Sequence, residues 1–108
     1  MNYPTAWVTG AGGLIGNYLV RTAPSCAPGW SIVALAHADF DITDFSAVRR
    51  RFHREAPQAI IHCAAMSRTS ECQAHPARAR LTNLDATRNL CDLAADIPFI
   101  FFSTDLVF

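Results

Sequence analysis

Three glycines recur at intervals of three residues near the start of the chain. Gly10, Gly13 and Gly16 lie in the segment TGAGGLIG, between a short apolar stretch and a stretch with helical spacing of apolar residues. The first glycine would let the chain turn off a strand, the second would let backbone approach a pyrophosphate, and the third would let a helix pack closely on a sheet. The start of that helix would add free amides and partial positive charge. The pattern predicts a dinucleotide-binding turn, with a ligand-free tight turn as the alternative.

The spacing differs from two other phosphate-binding patterns. The sixth residue counted from Gly10 is Ile15, so G-x-G-x-x-G is not formed, and a P-loop needs a lysine that this sequence lacks. We expect the diphosphate of the dinucleotide to lie against a single run of residues, namely Gly10, Gly12, Gly13, Leu14, Ile15 and Gly16.

Strands and helices alternate along the rest of the chain. Apolar runs predict strands at Thr5–Thr9, Trp30–Ala36, Ala59–Ala65 and Pro98–Ser103, with a very short one within Asp39–Asp44. Helical spacing predicts helices from Leu14 to Pro24, from Phe45 to Pro57 and over Ala77–Ala95. Because parallel strands need a crossover of about a dozen residues, this order indicates an α/β fold with a doubly wound parallel sheet. The expected architecture is an NAD(P)-binding Rossmann fold, truncated to about five strands with one flank of the sheet uncovered.

Two details of the helices follow from the same pattern. Thr43 or Asp44 is expected to cap the second helix, because threonine and aspartate accept hydrogen bonds from free amides at helix starts. The one-sided spacing of the first helix comprises Leu14, Ile15, Tyr18, Leu19 and Thr22. That of the third comprises Leu81, Leu84, Cys91 and either Ala94 or Ala95.

Length and composition exclude several classes of protein. The 108 residues suffice for one domain, and the content of 51% hydrophobic and 17% charged residues is too apolar for intrinsic disorder. A net charge of zero gives no general attraction for nucleic acid or for an anionic membrane surface. No apolar run reaches the roughly 18 residues that span a bilayer, and no secretory leader is recognisable. We therefore expect a cytoplasmic protein with neither nucleic acid nor membrane as a partner.

Metal and disulfide chemistry are not expected either. The cysteines at 26, 63, 72 and 91 form no C-x-x-C pair, and the histidines at 37, 53, 62 and 75 lack ligand spacing. His62 is expected to be a hydrogen-bonded strand residue. The arginines at 49, 50, 51 and 54 are read as a solvated helix face rather than a nucleic-acid site.

The end of the second predicted strand bears on cofactor preference. An acidic residue there usually holds the ribose hydroxyls of NAD, but this chain has Ala36, His37 and Ala38. Without the carboxylate a 2′-phosphate would not be repelled, and His37 could donate a hydrogen bond to it. This favours NADP(H) over NAD(H), with His37 as an ordinary surface residue as an equal alternative.

Five segments together carry a resemblance to a known family. They are TGAGGLIG at 9–16, FDITD at 40–44, AIIHCAAMSRTSEC at 59–72, TNLDATRNL at 82–90 and FFSTDLVF at 101–108. In these the chain resembles the extended short-chain dehydrogenase/reductases, and within them the dTDP-4-dehydrorhamnose reductase family. The resemblance implies the NAD(P)-binding part of an enzyme that reduces a 4-keto nucleotide sugar by hydride transfer. Its partners would be the dinucleotide, a nucleotide sugar in a full-length protein and a second copy of the chain in a homodimer.

The resemblance also assigns roles to individual positions. Asp41 and Ile42 would contact adenine, with entry into the next helix as the alternative role. Ala64 and Ala65 would let the ribose and nicotinamide lie against backbone, with plain close packing as the alternative. Cys63 and Ser103 would join the same cofactor site. Asn83 would bridge buried groups near the active site or face solvent. Thr104 would hold the substrate carbonyl as the catalytic residue, or would only form a turn.

One departure from the family limits the expected activity. Members donate the proton from a tyrosine that a lysine four residues later acidifies, whereas this chain has only Tyr3 and Tyr18 and no lysine. We expect residues 1–108 to be the N-terminal portion of the Rossmann domain, without the Y-x-x-x-K helix and most of the substrate region, and to be inactive alone as a ketone reductase. The alternatives are a non-catalytic nucleotide-binding module that regulates or binds a partner protein, and a fragment with no independent role.

Overall fold

The computed structural model describes residues 3–63 and 74–102. They form four strands, four α-helices and one π-helical segment, here called π1. In chain order these are β1 (Thr5–Thr9), α1 (Leu14–Cys26), β2 (Ser31–Leu35), α2 (Phe45–Glu55), β3 (Ala59–His62), α3 (Pro76–Arg80), π1 (Leu81–Asp85), α4 (Ala86–Leu93) and β4 (Phe99–Phe101).

The four strands form one parallel sheet in the order β2-β1-β3-β4. Thr9 at the end of β1 pairs with Leu35 on β2 and with His62 on β3, so these three strands end at the same edge. This arrangement confirms the predicted doubly wound parallel sheet. It also places the turn that follows β1 at the carboxyl edge, where open α/β sheets bind their ligands.

An aromatic cluster fills the core between the sheet and α2. Trp7 is fully buried, and its ring makes edge-to-face contacts with Phe40 and Phe52 at centroid distances of 5.7 and 5.8 Å. Its Nε1 donates to Glu55 at 3.0 Å, and Glu55 also accepts from Arg51 at 2.7 Å. Burial by itself would raise the pKa of Glu55, but these hydrogen bonds lower it overall. The other tryptophan, Trp30, precedes β2 and is 38% exposed.

The expected short strand within Asp39–Asp44 is wrong. The amides of Asp39 and Phe40 donate to the carbonyl of Ala36, and the amide of Asp44 donates to Asp41, so the segment consists of turns. Phe40 and Ile42 point into the core and are buried there. The described residues therefore contain four strands rather than about five.

Helix α2 begins and ends where the sequence predicts. Of the two candidate caps it uses Asp44, whose side chain accepts from the amide of Ala47 at 3.2 Å. Its C-cap is Ala56, which adopts a left-handed conformation with φ of 47° before Pro57. The residue before a proline avoids the right-handed helical region, which explains the stop.

Helix α1 departs from its prediction in length and in its buried face. It continues through Pro24 to Cys26, because a proline in the last turn removes only one hydrogen bond there. Gly16 is its one buried residue, whereas Leu14, Ile15 and Tyr18 are exposed. Leu19 and Thr22, the other members of the predicted stripe, are half-buried, so the described part of the chain covers this stripe only in part.

The predicted helix over Ala77–Ala95 is divided in three. Segment π1 separates α3 from α4, and the residues that pack inward are Ala79, Ala86, Leu90 and Ala94. The expected face is wrong at Leu81, Leu84 and Cys91, which are exposed, and it is confirmed at Ala94, which is buried. The extra residue in a π-turn shifts the face, and three of the four inward positions are small enough to approach the sheet closely.

Candidate functional site

The turn between β1 and α1 is built almost entirely from backbone. Gly10 has a φ of 64°, in the left-handed region that favours glycine. The amide of Gly13 donates to the carbonyl of Gly10 at 2.9 Å, and Gly13 is the N-cap of α1. The amide of Ala11 donates to Leu35 at 3.2 Å, which holds the turn against the end of β2. The two ends of the turn are therefore fixed relative to the sheet.

Gly16 allows the first turn of α1 to lie against this backbone. A Cβ at Gly16 would stand 2.2 Å from the carbonyl oxygen of Gly10 and 3.0 Å from the Cα of Ala11. The close contact is thus with the preceding turn, whereas the sequence suggested close packing on the sheet. At Gly12 a Cβ would meet only the Cβ of Ala36, at an ordinary 3.9 Å.

The start of α1 carries no cap of its own. No side chain of the described residues caps its first amides, and the first turn contains no acidic residue. Within residues 3–63 and 74–102, the amides of Leu14, Ile15 and Gly16 have no backbone acceptor. Such a helix start presents hydrogen-bond donors and partial positive charge, which suits an anion.

A cavity of about 860 Å³ opens beside this turn at the carboxyl edge of the sheet. Its volume lies in the range of small-molecule and cofactor sites. Three groups of residues line it: Thr9, Gly10, Gly13 and Cys63 at the strand ends; Leu35, His37, Phe40, Asp41, Ile42 and Thr43 after β2; and His75, Arg78, Leu81 and Thr82 from the α3–π1 segment.

Asp41 is held by a local turn at one end of the cavity. Its Oδ1 accepts from the amide of Thr43 at 3.0 Å and from the hydroxyl of Thr43 at 2.6 Å. The hydroxyl and then the amide are the main causes that lower the pKa of Asp41. The side chain is therefore a carboxylate at neutral pH, suited to accept a hydrogen bond from a ligand amine.

His62 links the sheet to α4 directly below the cavity. The residue is fully buried, with Nδ1 2.7 Å from the hydroxyl of Thr9 and Nε2 2.8 Å from the hydroxyl of Thr87. The hydroxyl of Thr9 also accepts from the amide of Cys63 at 3.0 Å, and the ring of Phe101 stacks on His62 at 5.4 Å. Burial lowers the pKa of His62 to about 4, so the ring is neutral. His62 is the hydrogen-bonded strand residue that the sequence predicts.

Cys63 lines the cavity, but its thiol is not activated. Cys63 is half-buried, and burial raises the pKa of its thiol. A thiol of raised pKa is a poor nucleophile, so Cys63 acts as a small wall residue.

The predicted site residues fall into three groups. Those that line the cavity are Gly10, Gly13, His37, Asp41, Ile42 and Cys63. Gly12, Leu14, Ile15 and Gly16 belong to the adjoining turn and helix start, and Asn83 lies half-buried on π1 and is not a lining residue. Ala64, Ala65, Ser103 and Thr104 lie outside the described residues.

Sequence reasoning missed one complete wall of the cavity. His75, Arg78, Leu81 and Thr82 follow one another at intervals of three, three and one, which brings them to one side of the α3–π1 segment. The signal that could have found them is the placement of large and polar residues opposite the alanines that pack inward. The π-turn conceals this pattern, because apolar spacing is normally read with 3.6 residues per turn.

Other classes of site find no support in the described residues. Among residues 3–63 and 74–102, no group of three or more histidine, cysteine or acidic side chains is arranged to hold a metal ion. No helix in this part of the chain is long and apolar enough to cross a membrane.

Known proteins are similar to this chain in sequence and in fold. The family model described as RmlD substrate binding domain matches residues 5–108. The chain is 37% identical to dTDP-4-dehydrorhamnose reductase of Mycolicibacterium smegmatis over 103 residues, covering 94% of this chain and 30% of that protein. It is 32% identical to methionine adenosyltransferase 2 subunit beta of Bos taurus over 110 residues, covering 94% and 32%.

Among solved structures, dTDP-4-dehydrorhamnose reductase of Bacillus anthracis in complex with NADP superposes with a TM-score of 0.88. That match has 25% identity and covers 100% of this chain and 39% of the other. The chain thus spans about a third of the length of the curated relatives it matches.

Proposed function

Since this chain belongs to the RmlD substrate binding domain family, we propose that residues 1–108 form the N-terminal portion of the NAD(P)-binding Rossmann domain of a nucleotide-sugar ketoreductase. The reaction is hydride transfer to a 4-keto nucleotide sugar of the dTDP-4-dehydrorhamnose type. The observation that carries this proposal is the cavity at the carboxyl edge of the sheet, beside a glycine turn and an uncapped helix start. The NADP in the solved relative supports the class of ligand.

In this proposal each part of the cavity holds one part of the dinucleotide. The diphosphate lies against Gly10, Gly12 and Gly13 and accepts from the amides at the start of α1. The adenine lies near Asp41 and Ile42, with the ionised carboxylate of Asp41 accepting from the exocyclic amine. The dinucleotide supplies the hydride, and Cys63, Ala64, Ala65, Asn83 and Ser103 complete its site.

We further propose a preference for NADP(H) over NAD(H). His37 lines the cavity just after β2, and no carboxylate occupies positions 36–38. A 2′-phosphate there would meet an imidazole that can donate a hydrogen bond instead of an acid that would repel it. Thr104 is proposed to hold the substrate carbonyl in the full-length protein.

Dinucleotide binding tests the proposal directly. NADPH should raise the melting temperature of the 108-residue chain, because a ligand at a hundred times its Kd stabilises the folded state by about 2.7 kcal/mol. Leu14 is 90% exposed at the start of α1, so its side chain can be changed without disturbing the core. Leu14→Glu should leave the apo protein folded but weaken NADPH binding by repelling the diphosphate.

Leu14→Gln is the matched control, since it has nearly the same size and no charge. Its NADPH affinity should stay close to that of the wild type. Equal affinities for the two variants, or no melting shift with either nucleotide at millimolar concentration, would contradict the proposed site.

The 108-residue chain alone should not reduce a dTDP-4-keto sugar. Tyr18 is an exposed residue of α1, and the chain has no lysine to acidify either of its tyrosines. Losing a general acid typically removes a factor of 10² to 10⁴ in rate. NADPH oxidation followed at 340 nm with pure protein should remain at background; clear turnover would overturn this expectation.

A non-catalytic nucleotide-binding module is the second candidate. It is favoured by the similarity to methionine adenosyltransferase 2 subunit beta, which is named as a subunit of another enzyme. A full-length sequence with a Y-x-x-x-K motif beyond residue 108 would support the reductase, and its absence would support the module.

A further inference from the structure

The wall of the cavity that the α3–π1 segment forms carries a permanent positive charge. Arg78 on α3 lines the cavity together with His75, Leu81 and Thr82. Its guanidinium is charged at every physiological pH and presents five donors in a rigid fork that matches phosphate oxygens. The described residues on the turn side of the same cavity, Thr9, Gly10, Gly13 and Cys63, include no cationic side chain.

Among the residues that the structure describes, no carboxylate neutralises this charge. The ion pairs within residues 3–63 and 74–102 both involve Glu55, which pairs with Arg51 and Arg54 on α2. Arg78 makes no ion pair with any residue in that part of the chain, and it is exposed. Among the described residues that line the cavity, Asp41 is the one carboxylate, and it already accepts two hydrogen bonds from Thr43.

The helix geometry makes Arg78 distinct from its neighbour Arg80. Positions 78, 81 and 82 fall on one side of a helical segment, and all three line the cavity. Arg80 lies two residues further, about 200° around the helix axis, and is not a lining residue although it is also exposed. The same short helix therefore offers one arginine inside the cavity and one outside it.

From this placement we propose that Arg78 binds a phosphate group of the dinucleotide from the α3–π1 wall of the cavity and contributes to the choice of cofactor. The inference rests on the proposed function, because it presumes that a dinucleotide occupies the cavity. Two phosphate groups of that ligand have the required chemistry, the diphosphate and the 2′-phosphate of NADP(H). A charge-assisted hydrogen bond from a guanidinium suits both.

Titration of the full 108-residue chain with NADPH and with NADH, followed by calorimetry, tests the role of Arg78. Arg78→Gln should weaken NADPH binding about tenfold, as expected for the loss of one hydrogen bond to a charged group. The loss should shrink in high salt, because ions screen an exposed charge. Arg80→Gln, on the same helix, should bind like the wild type.

The two ligands distinguish the two phosphate sources. Arg78→Gln weakens both NADPH and NADH if the diphosphate is the partner, and only NADPH if the 2′-phosphate is. Arg78→Lys keeps the charge without the fork and should bind with intermediate affinity. Apo melting temperatures of all variants should agree, since both arginines are exposed.

Failure of this inference and failure of the proposed function give different results. If the wild type binds a dinucleotide and Arg78→Gln binds it as tightly as Arg80→Gln does, the role of Arg78 is refuted and the dinucleotide site stands. If Arg78→Lys is as weak as Arg78→Gln, positive charge is not what Arg78 contributes. If the wild type binds neither nucleotide, the proposed function and the role of Arg78 both fall.

Discussion

The two walls of the cavity differ in composition, since one consists mainly of backbone groups and the other of side chains. On the β1–α1 side, Gly10 and Gly13 shape a turn whose groups are backbone amides and carbonyls. On the α3–π1 side, the wall consists of the side chains of Arg78, Leu81 and Thr82. The first wall tolerates no added atoms at its tightest point, whereas the second can change its chemistry by substitution. The backbone wall is suited to bind the part that related ligands have in common. The side-chain wall is suited to discriminate between such ligands.

Replacing Gly16 with alanine should have the largest effect, because it breaks the backbone wall. The new Cβ would stand 2.2 Å from the carbonyl oxygen of Gly10, and neither backbone segment can yield without moving the turn. We expect a loss of about 4 kcal/mol or more in the free energy of unfolding. Urea denaturation measures it.

Gly12→Ala is the matched control in the same turn. Its Cβ would make only an ordinary contact of 3.9 Å with Ala36. Its stability should stay within about 0.5 kcal/mol of the wild type. Similar losses in both variants would show that the close approach at Gly16 is not the decisive contact.

Lowering the pH should reduce the free energy of unfolding through His62, which links the sheet to α4. His62 has a pKa of about 4 in the folded chain against 6.5 for the free side chain. Between these values the unfolded chain takes up a proton that the folded chain does not, so stability is full above pH 6.5 and falls as the pH drops toward 4. The shift corresponds to about 3 kcal/mol.

Unfolding free energies measured from pH 7 to pH 4.5 check this dependence. His62→Asn should remove most of the slope, and His53→Asn, at an exposed position on α2, should retain it. An unchanged slope in His62→Asn would assign the effect to other groups.

Removing the hydroxyl of Thr87 should affect the side-chain wall selectively. Thr87 directly follows the first residue of α4, and its contact with His62 fixes the end of π1 to the sheet. Thr87→Val should cost about 1 kcal/mol of stability and leave one ring nitrogen without a partner. Thr87→Ser keeps the hydroxyl, and its NADPH affinity should stay above that of Thr87→Val. Equal NADPH affinities of Thr87→Ser and Thr87→Val would show that the hydrogen bond between Thr87 and His62 does not position the α3–π1 wall of the cavity.

The smallest expected effect lies in the turn after β2, where the backbone amide and the hydroxyl of Thr43 both donate to Asp41. Thr43→Val removes the 2.6 Å hydrogen bond that chiefly lowers the pKa of Asp41. The pKa of Asp41 should rise toward its ordinary value of 3.8, as NMR titration of the carboxyl carbon would show. Thr43→Ser should retain the lowered pKa; if it behaves like the valine variant, the hydroxyl is not the cause.

The backbone wall was predictable from sequence, and the side-chain wall was not. Glycine spacing encodes the turn directly, since Gly10 needs a positive φ and Gly16 a missing side chain. Apolar runs encode the four strands, because buried parallel strands are apolar on both faces. The faces of α1 and of the α3–π1–α4 segment were predicted only in part. In α1 the apolar residues flank an open surface, and in the other segment the π-turn shifts the buried face onto Ala86 and Leu90.

The positions of the two tryptophans provide the molecule with an optical reporter. Trp7 on β1 is fully buried against the rings of Phe40 and Phe52, whereas Trp30 is partly exposed to solvent. Indole emission shifts to longer wavelength in a polar medium, so denaturation should redden the light from Trp7 and leave that from Trp30 nearly constant. A Trp30→Phe protein would isolate the inner signal, and loss of the α2 face of the core could then be followed without any added dye.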